Sequence, residues 1–331
     1  MSQIAARQRL YRRRRSSIFH GFDPVLTAAV AALLFIGTLL VYAATRDWYA
    51  RNGLDPQYYL KRHVINIAIG ALLAYGTTVI DYRLLRAYTP IFWGLGVLGL
   101  IAVLIPGLGT TVNGARAWIS LPGGFQIQPA ELAKISIILG ISMILSERGH
   151  DSDEPSTQDM LQALAVAAVP IGLILAQPDM GTVFIISASV LTIIAVSGSP
   201  TRWVVGLLIV AVIGGFAVAK TGVLNEYQVK RLQSFVDPNA DTQGTGYQLR
   251  QARITVGSGG LIGTGLFNGP QTNGRFVPEQ QTDFIFTVAG EELGFLGCGF
   301  ILILYLTVLM RGFGIARRSS DPYGKLVCTG V

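Results

Sequence analysis

Val25–Ala44 runs for twenty residues without a charged side chain. The hydrocarbon core of a bilayer is about 30 Å thick, so a helix needs ~20 apolar residues to cross it. Leu161–Ala176, Gly181–Ser197, Val204–Ala219 and Phe284–Met310 repeat the pattern, the last of them carrying Glu291 and Glu292. Inside a bilayer the main chain has no water to bond, so only helices and closed barrels span it. These runs are unbroken rather than alternating, which predicts helices and not barrel strands. Composition agrees: 51% of the chain is hydrophobic and 14% is charged. An average soluble domain carries roughly a quarter charged residues. The sequence therefore predicts an all-α, polytopic transmembrane helix bundle. Spans are expected near 25–45, 62–80, 89–106, 129–146, 160–176, 180–197, 202–220 and 284–310, with the start of a ninth from Tyr323.

The net charge of +7 is unevenly placed, with Arg7, Arg9 and Arg12–Arg15 ahead of the first span. A basic tail can serve nucleic acid. Beside a span its commoner role is to anchor the cytoplasmic end. Residues 1–24 are accordingly expected to be a cytoplasmic tail. The partners it implies are membrane lipids, and no nucleic acid. Residues 25–331 are expected to form one transmembrane domain. Alternating the spans puts Arg83, Arg86, Arg148, Arg202, Arg311, Arg317, Arg318 and Lys325 inside, against Arg46, Arg51, Lys61, Arg62 and Arg116 outside. Three loops then open outward: 107–128, 177–179 and the long stretch 221–283. Cys298 and Cys328 lie in or beside apolar segments, and His20, His63 and His150 are scattered. Neither a disulfide framework nor a metal site is expected from them.

Ionisable residues at membrane depth are costly, so each is a functional candidate. One cluster is Asn113-Gly114-Ala115-Arg116-Ala117-Trp118 followed by Gln128-Pro129-Ala130-Glu131-Leu132-Ala133-Lys134. Pro129 suits the first turn of a helix. Glu131 then lies where the helix dipole favours an anion, with Lys134 three residues on and on the same face. That pair is either an ion pair that locks the helix end or part of a polar pocket for an anionic substrate. Gln177-Pro178-Asp179 reads first as turn chemistry. Asp283, at the mouth of the run that begins at Phe284, is either a helix N-cap or a general base. Glu291 and Glu292, deeper in the same run, need partners, and Lys134 or an arginine is a candidate. Within the long loop, Tyr247–Val256 reads as a short amphipathic helix at the interface. The Gly257–Gly265 stretch permits tight turns and close backbone approach. It opens no βαβ unit, so as a nucleotide fingerprint it is weak.

These motifs together resemble the SEDS family (shape, elongation, division and sporulation), membrane glycosyltransferases that polymerise lipid II into peptidoglycan strands. The matching stretches are NGARAW at 113–118, QPAELAK at 128–134, QPDMGT at 177–182, Arg231, FVDP at 235–238, GYQ at 246–248, GSGGLIGTGL at 257–266, VPEQQTDFIF at 277–286 and GEELGFLG at 290–297. They fall in family order along nearly the whole chain. GPQTNGRFVPEQQTDFIF is most similar to the RodA-like branch, which acts in elongation rather than division. Ala130 stands where serine is usual, and Ala117 where a second arginine is common.

The resemblance implies a lipid II polymerase with Asp283 as the catalytic residue. It implies a substrate-binding set of Asn113, Arg116, Glu131, Lys134, Gln177, Asp179, Arg231 and Glu279. The implied substrates are lipid II and glycan linked to undecaprenyl diphosphate. The implied partner is a class B penicillin-binding protein. A divalent cation, magnesium or manganese, is a possible cofactor, although no ligand spacing demands one. The family has about ten spans, so the final ones are expected to be missing from this chain. Two alternatives stay open: a lipid II flippase or other polytopic transporter, and a non-catalytic scaffold for the penicillin-binding protein.

Overall fold

The computed structural model describes residues 22–112, 115–122, 125–147, 154–220 and 245–331. The elements, in chain order, are helices α1 (Pro24–Arg51), α2 (Tyr58–Val79) and α3 (Tyr82–Leu104), then strands β1 (Gly109–Val112), β2 (Ala115–Ser120) and β3 (Gln126–Ile127). Helices α4 (Pro129–Ser146), α5 (Thr157–Leu175), α6 (Met180–Val196), α7 (Thr201–Lys220), α8 (Thr245–Ser258), α9 (Pro270–Gly274), α10 (Ile285–Arg318) and α11 (Pro322–Gly330) follow. The architecture is the expected all-α polytopic one, and the helix over 247–256 is present within α8.

Every expected span has a helix. Among the described residues, five are long and apolar enough to cross a membrane: Pro24–Arg51, Leu84–Leu104, Pro129–Ser146, Thr157–Leu175 and Ile285–Arg318. By length and composition this is fewer than the eight expected. The physical reasons differ. Helix α2 opens with Lys61, Arg62 and His63, and Met180–Val196 and Thr201–Gly215 are shorter apolar helices. Large apolar side chains stand bare, with Phe35 66%, Leu72 70%, Val212 72% and Phe295 70% exposed. A water-soluble monomer seldom leaves so much apolar surface uncovered, and lipid is the solvent that suits it.

The chain divides into two compact units, Met1–Gly70 with Glu226–Arg311, and Ala71–Asn225 with Gly312–Val331. In the first, Leu40, Ala43 and Ala44 of α1 share a core with Val288, Ala289, Cys298 and Ile301 of α10. Helix α1 starts at Asp23, whose carboxylate accepts the amides of Val25 and Leu26, each at 3.0 Å. The same carboxylate pairs with Arg311 of α10 at 3.2 Å. The Leu26 amide first, then the Arg311 guanidinium and the Val25 amide, hold it below the usual carboxylate range against an opposing effect of burial. A depressed carboxylate stabilises the fold fully above its unfolded value and loses that contribution as pH falls through the folded one. Protection of the Val25 and Leu26 amides from hydrogen exchange is therefore expected to fall below about pH 4. Unchanged protection down to pH 2 would refute this.

Helix α10 is broken. Gly294 has φ 68 and ψ −168, a backbone region open essentially only to glycine. The break frees carbonyls before it and amides after it. The glycine-rich stretch takes them up: Thr264 N donates to Glu291 O at 2.9 Å and Gly265 N to Glu292 O at 3.1 Å. In return Phe295 N donates to Gly260 O at 2.9 Å and Leu296 N to Leu261 O at 3.1 Å. Non-helical backbone at membrane depth needs such partners. So Gly257–Gly265 spends two of its amides on a neighbouring helix rather than on a phosphate.

In the second unit α4 is the most enclosed span, with 61% of its apolar window buried. Ala133, Ile137, Ile141 and Leu145 of α4 meet Met160, Ala163 and Ala167 of α5, Ile186, Val190 and Ile193 of α6, and Leu326 of α11. The 107–128 loop is more ordered than a loop, since β1, β2 and β3 form one antiparallel sheet in that order. In sequence, an Asn-Gly pair such as Asn113-Gly114 between two strand-like runs is a strong hairpin signal.

Candidate functional site

In the second unit three of the motifs meet at one end of the helices. Strand β2 packs on α3 and α4 and carries Arg116, whose Nε donates to Gly109 O at 3.2 Å. Gln128 precedes α4 and makes no cap for it. Its side chain instead donates to Asp179 Oδ2 at 3.0 Å. Asp179 caps α6, accepting Thr182 N at 3.1 Å and Thr182 Oγ1 at 2.7 Å. The two Gln-Pro motifs are thus bonded to each other, and Asp179, read from sequence as turn chemistry, is also a helix cap. Gln177 is fully buried and donates to Leu100 O of α3 at 3.0 Å, so it fixes structure rather than facing a ligand.

Glu131 and Lys134 form the ion pair that their spacing allows, at 2.8 Å, with side chains 58% and 23% exposed. An exposed pair of this kind contributes about 0–1 kcal/mol. Of the two, Lys134 is the more covered and Glu131 the more accessible. Asn113 and Arg231 lie outside the described residues.

In the first unit Asp283 sits on the turn Glu279–Phe284, before α10. Glu279 O gathers the amides of Thr282 at 3.2 Å, Asp283 at 3.1 Å and Phe284 at 3.4 Å. Glu279 Oε2 accepts from Gln281 Nε2 at 3.1 Å. Among the described residues the Asp283 carboxylate, which is exposed, takes no hydrogen bond and no ion pair. It is therefore not the cap that its position before a helix allowed. The structure adds Arg275, which sequence reasoning passed over. Its guanidinium lies 4.4 Å over the Trp48 ring and donates to Gln281 Oε1 at 3.3 Å, two residues from Asp283. No sequence signal marks it, because Trp48 is more than two hundred residues away.

The partner foreseen for the two buried acids needs correction at Glu291, while Glu292 does have an arginine near it. Among the described residues Glu291 pairs with no cation. Its carboxylate accepts Gln271 N at 2.8 Å, Thr272 N at 2.7 Å and Thr272 Oγ1 at 2.6 Å. The donors are the first turn of α9, where amides lack intrahelical partners. Glu292 lies within the electrostatic reach of Arg46. That arginine also pairs with Asp47 at 3.0 Å and stacks 4.5 Å over Phe267.

The profile of the FtsW/RodA/SpoVE family, described as cell cycle proteins, matches residues 24–331. The chain belongs to this SEDS family. This SEDS chain is 34% identical over 310 residues to a probable peptidoglycan glycosyltransferase FtsW of Trichlorobacter lovleyi, covering 94% of this chain and 80% of that one. It is 33% identical to the peptidoglycan glycosyltransferase MrdB of Escherichia coli, covering 90% and 78%. It also matches a chain in a structure of a peptidoglycan synthase complex that coordinates polymerization and crosslinking. There the TM-score is 0.75 at 28% identity, over 94% of this chain and 82% of that one. The SEDS fold inferred from motif order is thus the fold observed. Near-equal identity to FtsW and MrdB does not separate division from elongation.

Proposed function

We propose that this chain polymerises lipid II during cell elongation, with Asp283 as the general base. Its relatives are named peptidoglycan glycosyltransferases, and this SEDS chain is one too. The observation that supports the base is the exposed Asp283 carboxylate, which has no structural task among the described residues. In the reaction, the 4-hydroxyl of the acceptor's N-acetylglucosamine attacks the anomeric carbon of the donor glycan. Asp283 takes the hydroxyl proton as the new C–O bond forms. The anomeric bond to undecaprenyl diphosphate breaks with inversion, and its electron pair leaves on the diphosphate. Positioned cations stabilise charge that grows in a transition state. Arg116, Lys134 and Arg231 are the cations assigned that role, and Asn113, Glu131, Gln177, Asp179 and Glu279 complete the proposed substrate-binding set.

The buried Gln177 contributes through the α3 contact rather than by touching substrate. A diphosphate leaving group also suits a magnesium or manganese ion. Among the described residues no three His, Cys, Asp or Glu side chains cluster to hold one, so no step is assigned to a metal. In this reading, supported by the basic N-terminal tail, the N-terminus is cytoplasmic and the site faces outward on the cytoplasmic membrane of a bacterium. The domain reading stays that of residues 25–331 as one catalytic SEDS domain with the 221–283 segment outside. A class B penicillin-binding protein is the proposed partner, in keeping with the synthase complex above.

The purified chain, given fluorescent lipid II in detergent, is expected to build long glycan strands resolved on a gel. Transfer of lipid II across vesicle leaflets with no polymer formed would overturn the reading in favour of a flippase.

A further inference from the structure

We propose that Glu291 is a positioning residue for Asp283: from within α10 its carboxylate fixes, through Thr272 and Gln280, the turn that carries the base. The inference rests on the assignment of Asp283 above. Glu291 is fully buried, yet among the described residues its two oxygens are met by neutral donors. Oε1 accepts Gln271 N at 2.8 Å and Ser258 Oγ at 3.4 Å. Oε2 accepts both the amide and the hydroxyl of Thr272. The amides it accepts are helix-start donors that have no intrahelical partner. Helix α9 has five residues, too few to hold together without such help. A Cβ at Gly269 would lie 2.6 Å from Glu291 Oε2, so glycine there lets the carboxylate in.

Helix α9 passes the constraint onward. Thr272 O accepts from Gln280 Nε2 at 2.9 Å, and the second hydrogen of that amide goes to Ala44 O of α1, also at 2.9 Å. Gln280 is fully buried and adjoins Glu279, whose carbonyl gathers the three amides of the Asp283 turn. The links from Glu291 to the base are thus hydrogen bonds to Thr272 and Gln280 and then the chain itself, inside one compact unit. Arg275, through Gln281, is a second anchor of the exposed turn.

Glu291→Gln keeps the shape but turns one acceptor into a donor facing an N–H. A catalytic group moved by ~1 Å can lose about 10²-fold in rate. Glu291→Gln is therefore expected to lower kcat for lipid II polymerisation by about 10- to 100-fold with KM within about twofold, since substrate contacts are untouched. Thr272→Val removes only the hydroxyl donor. It is the milder variant should Glu291→Gln fail to fold, and its kcat is expected to fall by about 3- to 10-fold with KM again unchanged. In the Asp283→Ala background neither substitution is expected to lower the residual rate further.

Wild-type kcat in the folded variants overturns the proposal. So does a loss of equal size with and without Asp283. Where Asp283→Ala leaves no measurable polymer, the kcat–KM split on Thr272→Val decides. An Asp283→Ala protein that is itself fully active overturns the base assignment instead, which separates the two failures.

Discussion

Asp283→Asn is expected to stop lipid II polymerisation while leaving the protein folded. A positioned general base supplies about 10²–10⁴-fold in rate, so kcat falls by that factor and KM moves little. The geometry makes the test clean. The turn is held by the Asp283 amide on Glu279 O, at 3.1 Å, and that bond is main-chain. The carboxylate caps no helix and pairs with no cation among the described residues. Asparagine matches its shape and keeps the backbone bonds, so the unfolding temperature is expected to stay within a degree or two of wild type. Should Asp283→Asn polymerise lipid II at full rate, Asp283 is not the base. Should it fail to fold, the carboxylate has a structural role that its exposure does not reveal. Arg275 offers a contrast. Its stack on Trp48 and its bond to Gln281 secure the same turn, and no substrate role is needed to explain it.

Much of the fold was legible because membrane folding is governed by one strong term. Long runs without charge mark spans wherever they occur, and Pro129 marks a helix start by local chemistry. The spacing of Glu131 and Lys134 allowed the ion pair that is present, one of the two readings left open. What stayed hidden depends on distant contacts. The Gln128–Asp179 bond joins residues 51 apart in sequence. The donors on Glu291 come from a short helix 19 and 20 residues upstream, so a search for an opposite charge looked for the wrong chemistry. Helix α10 read as one continuous span because no proline interrupts it. Its break is written instead in glycines on two segments, Gly263 and Gly294, each harmless alone.

That break leads to the largest expected effect on stability. Gly294→Ala puts a Cβ where φ is 68 and ψ is −168, a region that costs a non-glycine residue of order 1–3 kcal/mol. The Cβ would also press on the main chain of Ile262 and Gly263. Relief requires the glycine-rich stretch to retreat, and four main-chain bonds between it and Glu291, Glu292, Phe295 and Leu296 hold it there. A buried group left unpaired costs about 1–3 kcal/mol. Opening even one bond brings the total loss to roughly 2–6 kcal/mol. Marginal stability makes that decisive, since a typical native state stands only ~5–15 kcal/mol above unfolding. The variant is expected to accumulate poorly in membranes and to unfold many degrees below wild type. Gly214→Ala is the matched control. It lies inside α7, and a Cβ there meets nothing within 4 Å, so helix propensity favours alanine by about 1 kcal/mol. Equal thermal stability of the two variants in detergent would show that the backbone at residue 294 does not require glycine and that the break in α10 is not held as described.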